Sequence, residues 1–362
     1  MNITAIQFAI LGISAFALTG LLTWPVRALA IRLGAMDSPN MARKTQAEPV
    51  PYLGGVAIAL GVSIITLGAV FLSAENFTGE NTDQLKDLAL TVLLPALILG
   101  GMGLFDDLRS LSPWPRLIAQ TVIGAAVAFV IVENGTIGTA FGGGDLGSDA
   151  GSGSWLNTLV TIVWIVGICN SINFFDNLDG AASGAVAIAA LGVFVIAFDR
   201  GQELVSALSI VTAGATIGFL MWNKSPAKIY MGDAGALFLG IIISVATIRL
   251  NPGITPTWHS LAIPLLLLAI PVLDTSIVVI SRILNGDSPL QGGRDHLSHR
   301  LLQKGFSKRK SVIILYLLSG LFALMGVMLY FNAQNIDLID ICFIVAMWLG
   351  LFQWFFRIRL QK

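Results

Sequence analysis

Runs of about 20 apolar residues, separated by short polar segments, recur from one end of the chain to the other. A helix of about 20 apolar residues is long enough to cross the hydrocarbon core of a bilayer. The pattern therefore predicts an all-α, polytopic membrane protein that forms a single integral-membrane domain over residues 1–362. The predicted eleven spans lie near residues 4–24, 52–73, 88–105, 114–132, 155–172, 181–198, 205–222, 234–249, 260–282, 311–331 and 338–356.

Composition supports a membrane protein and excludes an ordinary soluble enzyme. The chain is 55% hydrophobic and only 12% charged, whereas a soluble domain carries about 25% charged residues. The formal net charge is zero, so no nucleic-acid partner is expected.

The positions of the basic residues predict the orientation in the membrane. Of the 21 Lys and Arg residues, only Lys86, Arg200 and Arg249 fall on one side of the predicted arrangement. Lys and Arg are enriched in cytoplasmic loops. We therefore expect the N-terminus outside and the C-terminus in the cytoplasm, which requires an odd number of spans.

Acids and amides accumulate where the predicted spans meet the cytoplasm. In the segment "NSINFFDNLDGAASG", Asn170, Asn173, Asp176 and Asp179 follow one another at intervals of three. Other spans carry polar groups at the same level, and Asp274 lies about two turns inside its span. These groups are Asp106, Asp107, Asp233, Asp295, His296, His299 and Arg300. If these helices pack together, the polar groups line one shallow cleft that faces the cytoplasm.

Such a cleft favours a bound cation. A carboxylate close to hydrocarbon is costly without a partner, and neighbouring carboxylates repel each other. Oxygen ligands from Asp and Asn suit Mg²⁺, with Mn²⁺ as a second option. Glycines near the same helix ends would allow either close helix packing or close approach of a ligand to the backbone.

Five ordered blocks resemble one enzyme family. They are "DSPNMARKTQAEPVPYLGGVAI", "GLFDDLRSLSPWPRLIAQ", "NSINFFDNLDGAASG", "MGDAGALFLG" and "HLSHRLL". The chain is identified by them as a member of the polyprenyl-phosphate N-acetylhexosamine-1-phosphate transferases, also called glycosyltransferase family 4. The resemblance implies transfer of a sugar-1-phosphate from a UDP-sugar to a polyprenyl phosphate, with Mg²⁺ as cofactor and UMP as product. It also implies a multi-pass protein in the inner membrane of a prokaryote, and a homodimer is compatible with it.

The resemblance implies roles for individual residues. The candidate catalytic residues are Asp106, Asp107 and Asp176, and the candidate metal ligands are Asp233 and Asn173. The candidate substrate-binding residues are Arg43, Lys44, Asn170, Asp179, Arg294, His296, His299 and Arg300.

Three positions depart from the usual motifs of the family. Gln46 stands where the family has His, Asn177 where it has Gly, and Ser298 where it has the middle His of H-x-H-H. The Asp-Asp pair and the aspartate of the M-G-D block are retained. We therefore expect an active enzyme. The resemblance to the branch that starts O-antigen or teichoic acid synthesis implies UDP-N-acetylglucosamine as the donor, with UDP-N-acetylgalactosamine or a diamino sugar as the next candidates.

Several alternatives stay open from the sequence. The reaction could be a direct attack by the lipid phosphate, which we favour, or it could pass through an aspartyl-phosphate. The peptidoglycan branch, which transfers phospho-N-acetylmuramoyl-pentapeptide, is the alternative activity. A secondary transporter would place its carboxylates near the middle of the bilayer, which only Asp274 approaches. A scaffold that has lost activity is the third class.

Overall fold

The computed structural model describes residues 4–38, 48–72, 88–109, 111–133, 153–254, 257–290 and 292–358. Within them the chain is almost wholly helical. The helices are α1 (Ala5–Arg32), α2 (Gly54–Leu72), α3 (Leu94–Arg109), α4 (Pro113–Glu133), α5 (Gly153–Phe175), α6 (Ala181–Asp199), α7 (Glu203–Asn223), α8 (Gly232–Arg249), α9 (Thr257–Leu267), α10 (Ala269–Leu284), α11 (Leu297–Gln303), α12 (Lys308–Phe331) and α13 (Leu338–Phe356). A π-helical turn, Ala89–Leu93, leads into α3.

The predicted fold class is confirmed. Eight helices in the described part of the chain are long and apolar enough to cross a membrane. Each of the eleven predicted segments coincides with one of the helices or, for 260–282, with the pair α9 and α10. The number of spans and the orientation of the two ends stay predictions. The two short strands, β1 (Met36–Asp37) and β2 (Val50–Pro51), pair antiparallel outside the helices.

Two predicted boundaries differ from the structure at prolines. The helix predicted to end at residue 24 continues through Pro25 to Arg32, because Val26 and Ala30 beyond the proline pack into the core. The span predicted over 260–282 is broken at Leu268. Pro271 has no N–H to give to the carbonyl of Leu267, which disrupts the helical hydrogen bonds at this point.

Helix α8 lies at the centre of the bundle and contacts α2, α3, α5, α6 and α7. Every residue from Ala234 to Ile248 is buried, as expected of a helix that is apolar on all sides. At the other extreme, α13 buries only Phe355. The core of the protein is therefore built around α8, and its N-terminal end is the natural meeting point for neighbouring helices.

Glycines let the neighbouring helices approach the start of α8. A Cβ atom on Gly55 of α2 would overlap the backbone of Gly235, and one on Gly103 of α3 would overlap the backbone of Asp233. Small residues at helix contacts permit this kind of close backbone packing in membranes. The close approach brings the end of α3, with its two aspartates, against the first turn of α8.

This packing predicts different effects for two glycines in α3. Gly103→Ala should destabilise the protein by about 1–3 kcal/mol, because the added methyl group must push α8 away. Gly101→Ala is the matched control, since a Cβ atom there meets no atom within 4 Å. Thermal unfolding of the purified protein compares the two variants, and equal melting temperatures would contradict the close α3–α8 contact.

Candidate active site

The carboxylate of Asp107 holds the N-terminal end of α8. Its Oδ1 accepts a hydrogen bond of 2.9 Å from the backbone N–H of Asp233, and its Oδ2 accepts one of 3.1 Å from that of Ala234. The first N–H groups of a helix have no partner within the helix and carry a partial positive charge. Gly232, with φ of +73°, makes the turn that presents these groups. Asp107 therefore fixes α3 to α8; its predicted catalytic role stays a prediction.

A cationic side chain joins the other two acids. Arg116, in the first turn of α4, lies 2.8 Å through Nη1 from Oδ2 of Asp106 and also contacts Oδ2 of Asp233. Asp106 accepts a further hydrogen bond from the backbone N–H of Leu111. Nδ2 of Asn173, near the end of α5, donates to Oδ1 of Asp233 at 2.7 Å. Four helices thus bring their polar groups to one point, and Asp233 lies at the centre of it.

The turn between α5 and α6 supplies two more carboxylates. Oδ2 of Asp179 accepts a hydrogen bond of 3.2 Å from the N–H of Ala227. Asp176 makes no side-chain hydrogen bond or ion pair within the described residues. Burial, followed by the charges of Asp233 and Asp179, raises the pKa of Asp176 to about 7. This carboxylate is therefore free to meet a cation or a proton.

Gly180 closes this turn. It adopts φ of +81°, and its carbonyl accepts a hydrogen bond of 2.5 Å from the hydroxyl of Tyr316 in α12. A side chain at this position would be strained, because L-residues rarely adopt this conformation. The turn that carries Asp176 and Asp179 is therefore held from behind by α12.

The predicted histidines lie next to a buried acid. Nδ1 of His296 is 2.8 Å from Oδ2 of Asp274, whose Oδ1 accepts a hydrogen bond from the N–H of Leu297. The carboxylate thus orients the imidazole and the start of α11. The ring of His299 lies 5.7 Å from that of His296, and its buried Nδ1 has no hydrogen-bond partner within the described residues.

Arg300 has a different environment from the one predicted. Its Nη1 donates to the carbonyls of Phe355, Phe356 and Ile358 at 2.9–3.2 Å, and its Nε donates to that of Asp295. Only 2% of its surface is exposed. These contacts make Arg300 an anchor for the end of α13 rather than a residue that binds substrate phosphate. The carbonyls at a helix end lack partners within the helix, which explains why a guanidinium group is retained there.

The other candidates divide into three groups. Asn170 bonds to Gln120 of α4 at 2.6 Å, so its amide links two helices and makes no hydrogen bond to the candidate acids. Arg294 is exposed just before α11 and is open to an anionic ligand. Arg43 and Lys44, together with the departure at Gln46, lie outside the described residues.

Sequence reasoning missed the role of Arg116, which it used only as evidence for topology. A sign was present, because Arg116 opens the span that follows the Asp-Asp pair within the same motif block. It also left the partner of Asp274 unidentified. An acid inside a membrane span needs a partner, and the histidine motif supplies it.

The environment of His299 predicts a pH-dependent stability. Burial, followed by the charge of His296, lowers the pKa of the His299 imidazole to about 4. The unfolded chain, with a His pKa near 6.5, then binds more protons than the folded one between about pH 6.5 and 4. The folded state should lose about 2 kcal/mol of stability from this group when the pH falls from about 8 to 5.

Melting temperatures measured across this range test the effect. His299→Gln should lose less stability than the wild type on acidification. Lys304→Gln, at an exposed position at the end of the same helix, should follow the wild type. An unchanged pH dependence in His299→Gln would show that His299 is not buried in the neutral form.

Comparison with known proteins assigns this arrangement to a family. The family model described as Glycosyl transferase family 4 matches residues 89–251. A Bacillus subtilis (strain 168) protein named "Probable undecaprenyl-phosphate N-acetylglucosaminyl 1-phosphate transferase" is 36% identical over 313 residues, which cover 86% of this chain and 82% of that protein.

Two further relatives are informative. Decaprenyl-phosphate N-acetylglucosaminephosphotransferase of Mycobacterium tuberculosis (strain ATCC 25618 / H37Rv) is 32% identical over 336 residues, covering 88% of this chain and 81% of the relative. Phospho-N-acetylmuramoyl-pentapeptide-transferase of Streptococcus thermophilus (strain CNRZ 1066) is 32% identical over 213 residues, covering 56% and 59%. The resemblance seen in the motif blocks is therefore confirmed, and the chain belongs to glycosyl transferase family 4.

Proposed function

We propose that the protein transfers N-acetylglucosamine-1-phosphate from UDP-N-acetylglucosamine to a polyprenyl phosphate, with undecaprenyl phosphate as the acceptor. The products are the polyprenyl-diphosphate sugar and UMP. The site would face the cytoplasm of a prokaryotic inner membrane, as the asymmetry of basic residues predicts. This step would begin the synthesis of a cell-envelope polysaccharide.

The observation that carries the proposal is the convergence of side chains from α3, α4 and α5 on the first turn of α8. Asp233 directly contacts Arg116 and Asn173. Asp106 joins the group through its ion pair with Arg116. These groups lie at the ends of membrane helices, which is where a water-soluble nucleotide and a lipid phosphate can meet. The relatives that cover 86–88% of this chain carry names of N-acetylglucosamine phosphate transferases.

The reaction joins two anions. An oxygen of the lipid phosphate attacks the β-phosphorus of the UDP-sugar, and the bond from that phosphorus to the oxygen bridging to the α-phosphate breaks. UMP leaves with the electron pair, so the sugar keeps its own phosphate. The charge that develops on the phosphoryl oxygens must be compensated by positive groups. Among the described residues, Arg116 and the exposed Arg294 would supply positive charge. Asp176, whose side chain has no hydrogen-bond partner among those residues, would accept a proton or orient the acceptor.

The donor set fits a magnesium ion. Mg²⁺ needs only one or two protein carboxylates, because substrate phosphates and water complete its shell. Asp233 with the amide oxygen of Asn173 would hold it, and Asp176, whose carboxylate has no side-chain hydrogen bond or ion pair within the described residues, would add a third oxygen donor. Within the described residues, no three acidic, histidine or cysteine side chains are arranged so that they could hold a metal ion by themselves. The ion would neutralise the diphosphate and polarise its oxygens.

The length of the match favours this activity over the pentapeptide transferase. The pentapeptide transferase reported above matches 56% of this chain, whereas the two N-acetylglucosamine phosphate transferases match 86% and 88%. The transporter alternative loses its main support, because Asp274, the one acid well inside a span, is paired with His296 and the N–H of Leu297.

A transfer assay with purified protein, undecaprenyl phosphate and Mg²⁺ tests the function directly. We expect UDP-N-acetylglucosamine to yield UMP and a lipid-linked product that retains the β-phosphorus. UDP-N-acetylgalactosamine and UDP-N-acetylmuramoyl-pentapeptide serve as competing donors. Turnover of the pentapeptide donor alone would replace the proposal with the peptidoglycan activity, and release of UDP would refute the reaction class.

Asp233→Asn should reduce transfer at least about 100-fold, because the variant loses the charge that would hold Mg²⁺. Its melting temperature without metal should stay near the wild-type value, since Arg116 keeps its 2.8 Å partner Asp106. Asp287→Asn, in an exposed loop, is the control. Transfer and UDP-sugar affinity are measured across a Mg²⁺ titration. A wild-type Mg²⁺ dependence in Asp233→Asn would locate the ion elsewhere, at Asp176 and Asp179.

A further inference from the structure

Two of the positions that depart from the family motifs contact each other. The hydroxyl of Ser298, in the first turn of α11, donates a hydrogen bond to Oδ1 of Asn177, in the turn after α5. The two residues are 121 positions apart in the chain. A glycine at 177 has no side chain to accept this bond, so the departure at one position supplies the partner for the other.

Asn177 is held on its other side as well. Its Nδ2 donates to the carbonyl of Phe174 at 2.7 Å, at the C-terminal end of α5. The amide therefore uses one group to close the end of a helix and the other to bind α11. Ser298 is 1% exposed, and a buried hydroxyl without a partner is unfavourable. Both side chains are therefore engaged in hydrogen bonds within the fold.

The neighbours of this pair are the candidate catalytic groups. Asn177 directly follows Asp176, and Ser298 directly precedes His299 and lies two residues after His296. The bond thus connects the turn that carries two carboxylates with the helix that carries two imidazoles. No other hydrogen bond or ion pair between the turn 176–180 and α11 occurs in the part of the chain that the structure describes.

We propose that Asn177 and Ser298 are a coupled pair of positioning residues, which sets the Asp176–Asp179 turn against the histidine-bearing helix α11. Each side chain performs this role only while the other is present. The pair takes no part in bond making. It sets the distance between the carboxylate side and the imidazole side of the cleft, where the sugar diphosphate would bind. This inference rests on the proposed function for its kinetic consequence.

A double-mutant cycle tests the pair in the full-length protein. Asn177→Ala and Ser298→Ala should each lower kcat about fivefold, because a net hydrogen bond contributes about that factor. The double variant should lose no more than the more strongly impaired single variant, since Asn177→Ala already removes the bond that Ser298→Ala removes. Independent roles would instead multiply to about 25-fold, and that result, or wild-type kcat in both single variants, would overturn the proposal.

Two further serine variants separate positioning from folding. Ser298→Thr keeps the hydroxyl and should retain at least about half of the wild-type kcat, whereas an equal loss in Ser298→Thr and Ser298→Ala would contradict the proposal. Ser276→Ala removes a hydroxyl whose one hydrogen bond among the described residues is to the carbonyl of Val272 in the same helix, and it should leave kcat unchanged. If Ser298→Ala does not fold, Ser298→Cys, with a similar volume and a weak donor, takes its place in the cycle.

Melting temperatures of the four proteins in the cycle are measured in parallel. A merely structural role would lower the melting temperature while leaving kcat per folded molecule unchanged, and this outcome would refute positioning. If the wild type transfers no UDP-sugar, the proposed function fails, but the contact itself is still tested by the melting temperatures. If the decrease in melting temperature of the double variant equals the sum of the decreases in the two single variants, the two side chains act independently and the coupled pair is refuted.

Discussion

The structure depends on a hydrogen-bond acceptor for the unpaired N–H groups at the N-terminal end of α8. This helix is buried from Ala234 to Ile248, and its first N–H groups have no partner within the helix. Asp107 meets two of them with its two carboxylate oxygens. A charged acceptor at a helix N-terminus is stabilising by about 0.3–2 kcal/mol, and hydrogen bonds to charged groups are stronger than those between neutral groups. Because α3 supplies the acid and α8 the donors, the same contact brings Asp106 and Asp233 to one place.

Small residues make the contact between α3 and α8 sterically possible. The positive charge of Arg116 reduces the repulsion between the aspartates that meet there. Gly103 lies against the backbone of Asp233, so no side chain separates the two helices. Three aspartates would repel one another there. Arg116 offsets part of this repulsion by pairing with two of them. The remaining acidic groups, including Asp176, would suit the magnesium ion and the diphosphate of the proposed reaction. A stable fold requires that the negative charges be compensated, whereas the proposed chemistry requires negative charge that can bind a cation. Arg116 compensates only part of the charge, so both requirements are satisfied.

Much of this could be predicted from the sequence, because the signals are local. Apolar length predicts where spans lie, and the position of an acid in a motif predicts which helix end carries it. The partner of each side chain could not be predicted in this way. Arg116 and Asp233 are 117 residues apart, and they meet only because α4 packs against α3 and α5, which in turn pack against α8. Arg300 illustrates the opposite error: its charge and motif favour a phosphate ligand, yet it binds the carbonyls at the end of α13. The pairing of Asn177 with Ser298 also appears only when the two motifs fold together.

The two hydrogen bonds from α8 to Asp107 give this residue a positioning role, which can be separated by experiment from a role in proton transfer. The most direct test is Asp107→Asn, with melting temperature, UDP-N-acetylglucosamine affinity and kcat measured on the same preparation. Asparagine keeps one acceptor oxygen but loses the charge and the second acceptor. If Asp107 positions α8, the melting temperature falls and UDP-N-acetylglucosamine binds more weakly, in parallel with the loss of kcat. A loss of kcat with unchanged melting temperature and unchanged affinity would contradict the positioning role and would make Asp107 a catalytic acid or base.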